Sequence, residues 1–342
     1  MRVLFDILHP AHVHVLKNLR SELIAHGHDV VVTSRHKDVA TDLLDAYGIG
    51  HTPLSQQSQG VGLAGELITR TSKLTRLARR ESVDAFVGLM GPSIVVAGRL
   101  LRRPAFVLYD TEVAVRTNRW VYPLATEVIT PECYTGTVRG NHVTYAGYHE
   151  LAYLHPRRFT PDVRRIEEFG LGRRPYVIVR LPSLDSSHDG AEKSTAARDW
   201  EAWIRETDAS HDVRISAEGA LPKSLETLRL RGPVTDIHHV IAFADVVVGE
   251  SATMAAEAAV LGTPAVFIGA TTRGYIDDIE HRYGLIRRFR PEEFAAAAAA
   301  ANDMAARDRD HWSRERERLI DDHVDVSDWL ATHLMSQLGG PA

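Results

Sequence analysis

Cysteine is nearly missing: the 342 residues contain one, Cys133. A single thiol allows no intrachain disulfide and no cysteine-built zinc site. Long apolar runs are missing too, and none approaches the roughly 18 residues of a membrane-spanning helix. There is no basic excess. Forty Lys and Arg face 45 Asp and Glu, for a formal charge of −5, which does not argue for nucleic-acid binding. The acidity is also too mild for a salt-adapted protein. The opening residues Met1–Asp6, followed by His9 and Pro10, lack the longer apolar stretch and small-residue cleavage site of a signal peptide. A cytoplasmic location is the expectation. A peripheral membrane contact needs only a surface patch, which composition does not address, and the oligomeric state is not legible.

What is present is ordinary for a globular chain: 44% hydrophobic and 25% charged residues. At about 150 residues per domain, this length suggests two domains. Short apolar runs alternate with helical patterns. Val3–Leu8, Asp29–Thr33, Ala85–Leu89, Ala105–Tyr109 and Glu127–Thr130 read as strands. Between them, His12–His26, Val39–Tyr47 and Ser93–Leu101 read as helices. The alternation restarts with strands Tyr176–Arg180, Asp212–Ala217, Asp245–Gly249 and Ala265–Ile268. Its helices are Ala191–Arg205, Leu221–Leu230, Ile237–Phe243 and Ser251–Leu261. Buried strands alternating with helices predict parallel βαβ units, an α/β class. A stretch near 150–175, with prolines, glycines and arginine pairs at 157–158, 164–165 and 173–174, reads as a solvated link. The expected division is 1–160, 161–320, and a terminal helix in 321–342 packing back on the first domain.

Ligands of open α/β sheets bind beyond the carboxyl ends of the strands. Four segments fall there. The first is Gly249–Glu257, where a strand ends at small residues and a helix begins at once. The first amides of such a helix lack intrahelical partners and sit at its positive pole. Ser251 and Thr253 add hydroxyls, the amides of Ala252 and Met254 lie in the same turn, and Glu257 stands where a carboxylate can accept both ribose hydroxyls. Spacing alone fits an ordinary capped helix equally well. The second segment is His9–His14. His12 or His14 can act as a base near neutral pH, cap the helix, or pair as metal ligands. Asp6, inside the preceding strand, is expected to orient one of these histidines. The third is Asp110–Glu112, either of whose carboxylates could serve as a base, bind hydroxyls or cap a turn. The fourth is Arg180, followed by Ser187 and His188. Glu218 and His238 also follow or precede elements on this edge.

Several blocks resemble the family DUF354, related to GT-B glycosyltransferases and UDP-N-acetylglucosamine 2-epimerases. They are His9–His14, Asp110–Glu112, Gly147–Leu154, Val179–Arg180 with Ser187–Asp189, and Gly249–Pro264. They occur in family order across most of residues 1–285. The resemblance implies a GT-B fold, two Rossmann-like domains with parallel sheets facing across a cleft. It further implies a nucleoside diphosphate sugar held through Arg180, Ser187, His188, Glu218, His238, Ser251, Ala252, Thr253, Met254 and Glu257. The base would come from His12, His14, Asp110 or Glu112. The expected activity is metal-independent glycosyl transfer from a nucleoside diphosphate sugar, a UDP-sugar first, to an acceptor hydroxyl or other nucleophile, with no cofactor. Two rivals are a nucleotide-sugar 2-epimerase and a non-catalytic nucleotide-sugar-binding subunit. Against the epimerase, Ser186–Asp189 stands where that family carries a basic His-Arg-Arg-Glu-Asn-like block.

Overall fold

The computed structural model describes residues 1–36, 38–56, 62–112, 115–181, 195, 197–217 and 219–339. The chain divides into two compact units, Met1–Arg158 with Val324–Ala342, and Phe159–His323.

The first unit is built on a seven-stranded sheet. Its strands are β1 (Arg2–Ile7), β2 (Asp29–His36), β3 (Thr52–Gln56), β4 (Ala85–Leu89), β5 (Ala105–Leu108), β6 (Glu127–Pro131) and β7 (His142–Tyr145). They lie in the order β3-β2-β1-β4-β5-β6-β7, and every pair is parallel. Parallel strands need crossovers. These are α1 (Pro10–Ala25), α2 (Asp38–Ala46), α3 (Gly62–Arg80), α4 (Pro92–Leu101) and α5 (Val115–Leu124), with a short α6 (Leu151–Leu154) after the last strand. β1, β4 and β5 are covered on both faces, so their runs are almost wholly apolar and buried. Asp6 is the exception.

The second unit repeats the plan with five parallel strands in the order β12-β11-β10-β8-β9. In chain order its elements are β8 (Tyr176–Leu181), α7 (Ala197–Thr207), β9 (Asp212–Ala217), α8 (Ile237–Ala242), β10 (Val246–Gly249), α9 (Ala252–Leu261), β11 (Ala265–Ile268), α10 (Gly274–Tyr283), β12 (Ile286–Phe289), α11 (Phe294–Ala305) and α12 (Arg309–Asp321). The last helix, α13 (Val326–Leu338), belongs to the first unit and packs on α1 and α6. Asp325 caps it, accepting from the amides of Ser327 and Asp328.

The structure departs from the sequence pattern in identifiable places. Leu221–Leu230 is not a helix; it holds one 3-10 turn, Glu226–Leu228. The Leu230 amide donates to the Ile215 carbonyl at 2.8 Å, so the segment is spent along the edge of β9. β3, β7, α3 and α5 had no counterpart in the sequence reading. β3 and β7 end the sheet and carry exposed residues, so neither shows the continuous apolar run of a central strand. Nor are the arginine pairs all solvated. Arg158 binds Asp325 at 2.6 Å and also pairs with Glu22, which ties the chain leaving α6 to both α1 and α13.

Candidate functional site

In each sheet the strand order reverses once, between β1 and β4 in the first and between β8 and β10 in the second. A reversal splays the flanking loops apart and leaves a crevice above the strand ends. Of the residues singled out by sequence, Arg180, Ser251 and Thr253 lie at the second reversal and His12 beside the first, with Asp110 after β5.

In the second unit, Arg180, the last but one residue of β8, lies beside Gly249 of β10. A methyl group at position 249 would lie 2.2 Å from the Arg180 carbonyl oxygen, so only glycine lets the two strand ends approach this closely. The Arg180 guanidinium donates to Ser216 Oγ on β9 at 2.9 Å, which holds the cation above the sheet edge. Ser251 is the extended N-cap of α9 (φ −107°), and its hydroxyl oxygen accepts from the Met254 amide at 3.3 Å. This corrects one expectation: the Met254 amide is taken up by the cap rather than offered to an anion. The first-turn amides of Ala252 and Thr253 have no intrahelical acceptor. Glu257, 7% exposed, places Oε1 2.9 Å from His238 Nε2 on α8. The carboxylate expected to meet a ribose is therefore held by a buried imidazole, which fixes its direction. Ser187, His188 and Glu218 lie outside the described residues.

In the first unit, His9 caps α1 by accepting from the Ala11 amide at 3.3 Å. His12 is buried one turn on, and its Nδ1 accepts from the Leu8 amide at 3.3 Å. An amide can only donate, so Nδ1 keeps its lone pair and the ring's proton sits on Nε2. Burial is the main force pushing the His12 pKa down, to about 3, with His9 adding to it and Asp110 opposing it. His12 is therefore a neutral donor through Nε2. Asp110, just beyond β5, lies 2.8 Å from Nδ1 of His149. Burial alone would raise its carboxyl, but the charge and hydrogen bonding of His149, with Thr111, outweigh this and the net shift is downward. Glu112 accepts from the Thr135 amide and hydroxyl at 3.1 and 3.2 Å.

Two expectations are corrected here. His14, expected as a base or a cap, is instead stacked on Tyr153 with ring centroids 5.2 Å apart and meets Tyr47 edge-on. Two residues along a helix turn a side chain by about 200° at 3.6 residues per turn, so His12 and His14 cannot serve one site. Asp6 orients no histidine; it pairs with buried Arg70 of α3 and accepts from Thr33 Oγ1 at 2.7 Å. Arg70 also donates to the Ser34 carbonyl and Ser55 Oγ, both at 3.0 Å, and Glu66 nearby holds Arg35 at 2.8 Å.

His149 was not among the residues singled out, although its block was. Its signal was present: a histidine between a tyrosine and a glutamate just after the last strand of the first unit. Among the described residues no group of three or more His, Cys, Asp or Glu is arranged to hold a metal ion, and no helix is long and apolar enough to cross a membrane.

With this geometry established, comparison with known proteins decides the family. The profile of DUF354, described as a protein family of unknown function, matches residues 1–277. The chain belongs to DUF354. A search of curated proteins returns no match. Among solved structures, this DUF354 member is similar to the S. aureus MnaA–UDP co-structure, at TM-score 0.68 and 11% identity over 100% of this chain and 99% of that one. It is also similar to Methanocaldococcus jannaschii UDP-GlcNAc 2-epimerase in complex with UDP-GlcNAc and UDP, at TM-score 0.65 and 11% identity over 90% and 94%. The glycosyltransferase SnogD from Streptomyces nogalater matches at TM-score 0.63 and 16% identity over 99% of both chains. At such identities the likeness is one of fold. The DUF354 chain has the GT-B fold, with two Rossmann-like units.

Proposed function

We propose that this DUF354 protein transfers a sugar from a nucleoside diphosphate sugar, a UDP-sugar first among them, to the hydroxyl or other nucleophile of an acceptor. The observation that carries this reading is the second unit's switch point. There a strand-end arginine, a glycine-enabled close approach, an open helix start and a directed carboxylate meet at one sheet edge. Each part fits one part of the donor. Arg180 can bridge phosphate oxygens bidentately. The amides of Ala252 and Thr253 offer fixed dipoles to the diphosphate, which gains charge as it leaves. Glu257 accepts from ribose hydroxyls while His238 holds its other side. Two of the similar structures hold UDP, which makes uridine the first nucleotide to try.

A second reading, a 2-epimerase, is favoured by Asp110 and Glu112 at one strand end, because moving a proton at a sugar carbon takes paired acid and base groups. Incubating the protein with UDP-sugars and no acceptor separates the two: an epimerase returns a changed sugar, a transferase at most releases UDP slowly.

The donor site is tested by thermal unfolding with UDP and UDP-N-acetylglucosamine. A ligand at one hundred times its Kd stabilises the folded state by about 2.7 kcal/mol. Wild type is expected to melt higher with UDP. Glu257→Ala is expected to bind it at least tenfold more weakly, a charge-assisted hydrogen bond being worth about 1.5–3 kcal/mol. An equal response from both proteins refutes the site.

A further inference from the structure

The first unit contains two buried imidazoles whose protons are set in opposite ways. His12 has its Nδ1 occupied by the Leu8 amide, which leaves Nε2 as an N–H donor. His149 is 3% exposed and has its Nδ1 at 2.8 Å from the Asp110 carboxylate. A carboxylate only accepts, so Nδ1 carries a proton, and in the neutral ring the lone pair is then on Nε2. Both ring nitrogens are buried and neither makes a well-aligned hydrogen bond among the described residues; Nδ1 has the Asp110 carboxylate at 2.8 Å, whereas Nε2 has no such neighbour among them. Leaving a polar atom buried and unpaired costs stability, and native structures rarely keep one without a use. Among the described residues, these groups lie near it. Asp110 lies on one side, His12 of α1 is near enough to feel both Asp110 and His149, and Tyr145 of β7 has its ring centroid 6.2 Å away. Tyr145 contributes a second buried, unpartnered atom, its hydroxyl, and Glu150 follows next in the chain.

We infer that His149 is the proton acceptor of this site, that Asp110 is its positioning residue, and that His12 is a fixed donor rather than a base. The inference rests on the transfer reading above and deepens it. In the step, the acceptor's O–H proton passes to His149 Nε2 as its oxygen forms a bond to the anomeric carbon. The carbon–oxygen bond to the diphosphate breaks, and its electron pair leaves with the diphosphate. The imidazolium so formed is balanced by Asp110, while the Nε2–H of His12 is available to hold a sugar or acceptor oxygen. Such a pair assigns base and donor without either ring changing charge before reaction.

The test begins without substrate. Full-length protein carrying ¹⁵N-histidine is examined by long-range ¹H–¹⁵N correlation at pH 7, with His12→Gln and His149→Gln to assign the two rings. His149 is expected with its proton on Nδ1 and a bare Nε2. His12 is expected with the reverse pattern, kept down to about pH 4. Asp110→Asn is expected to abolish the fixed His149 pattern. A His149 protonated on Nε2, or a pattern unmoved by Asp110→Asn, overturns the assignment. For whichever nucleotide sugar raises the melting temperature, His149→Gln and Asp110→Asn are then expected to slow diphosphate release at least 100-fold while keeping the wild-type UDP shift. Release at the wild-type rate by His149→Gln overturns the inference. A wild type that UDP does not stabilise refutes the donor site instead, and leaves the proton acceptor to be decided by the spectra.

Discussion

The two switch points are topological equals with opposite chemistry. Above β1 and β5 stand imidazoles and carboxylates: His9, His12, Asp110 and His149. At the ends of β8 and β10 stand small and hydroxyl-bearing residues, Gly249, Ser251, Ala252 and Thr253, with one arginine, and the titratable groups are set back in the buried Glu257–His238 pair. The difference follows from what each site can do. Moving a proton requires groups that titrate, and these must be desolvated to hold a chosen state. Holding a diphosphate requires backbone at close range, and side chains there would only stand in the way. Gly249 shows this most directly, since even a methyl group would strike the neighbouring strand.

The largest effect expected from breaking this contrast lies under the first site. Asp6 and Arg70 are 1% and 2% exposed and face each other within the sheet edge. The buried pair need not add net stability, but removing one partner strands a charge. Arg70→Met is expected to lower the unfolding free energy by about 3–5 kcal/mol. Asp6→Asn combined with Arg70→Met is expected to recover most of that loss, as neither charge then remains. Urea unfolding of the three variants checks both statements. Equal midpoints for wild type and Arg70→Met would show that the pair is not buried as described.

The next effect concerns the protons. Burial holds the His12 pKa near 3, against an ordinary value of 6.5. Between those values the unfolded chain binds a proton that the folded chain refuses, so stability rises with pH across this window. Its full contribution is present above about pH 6.5 and is lost as the pH falls toward 3. The slope approaches about 1.4 kcal/mol per pH unit where the difference is one whole proton. His12→Gln removes the titrating ring, so its stability is expected to fall less steeply from pH 6.5 to 4.5. Chemical unfolding at three pH values reads this directly; parallel curves would place His12 in a solvated setting. No such term is expected from Ser251, Thr253 or Gly249, which do not titrate in this range. The comparison between the two sites is thereby sharpened.

Sequence pattern revealed some of this and not the rest, for physical reasons. Central strands covered on both faces must be apolar throughout, so β1, β4, β5, β8 and β10 were visible. The loops that follow them lie at the carboxyl edge by topology alone, which is why His9–His14, Asp110, Arg180 and Gly249–Glu257 could be placed at strand ends from sequence. Periodicity reports which face of a helix is buried but not what lies across from it. Asp6 and Arg70 are 64 positions apart, and nothing local joins them. His149 precedes a helix of four residues, α6, too short to show a period. Edge strands β3 and β7 are partly solvated and look like loops. The pairing of Glu257 with His238 depends on α8 packing against α9, a tertiary fact that neither segment records.

The smallest effect separates structure from binding at the second site. Ser251 caps α9 by accepting from the Met254 amide, and its O–H proton is still available to donate to a ligand oxygen. As a cap alone it is worth about 1 kcal/mol. Ser251→Ala is therefore expected to lower stability by about that much, and Ser251→Gly by only a few tenths of a kcal/mol, because glycine is also a tolerated cap. If the hydroxyl also holds the diphosphate, both variants are expected to weaken UDP binding by a similar factor, although only alanine weakens the fold. Calorimetric titration beside thermal unfolding distinguishes the cases. Affinity that tracks stability, falling for alanine and not for glycine, would reduce Ser251 to an ordinary cap and leave the anion to Arg180 and the amides of Ala252 and Thr253.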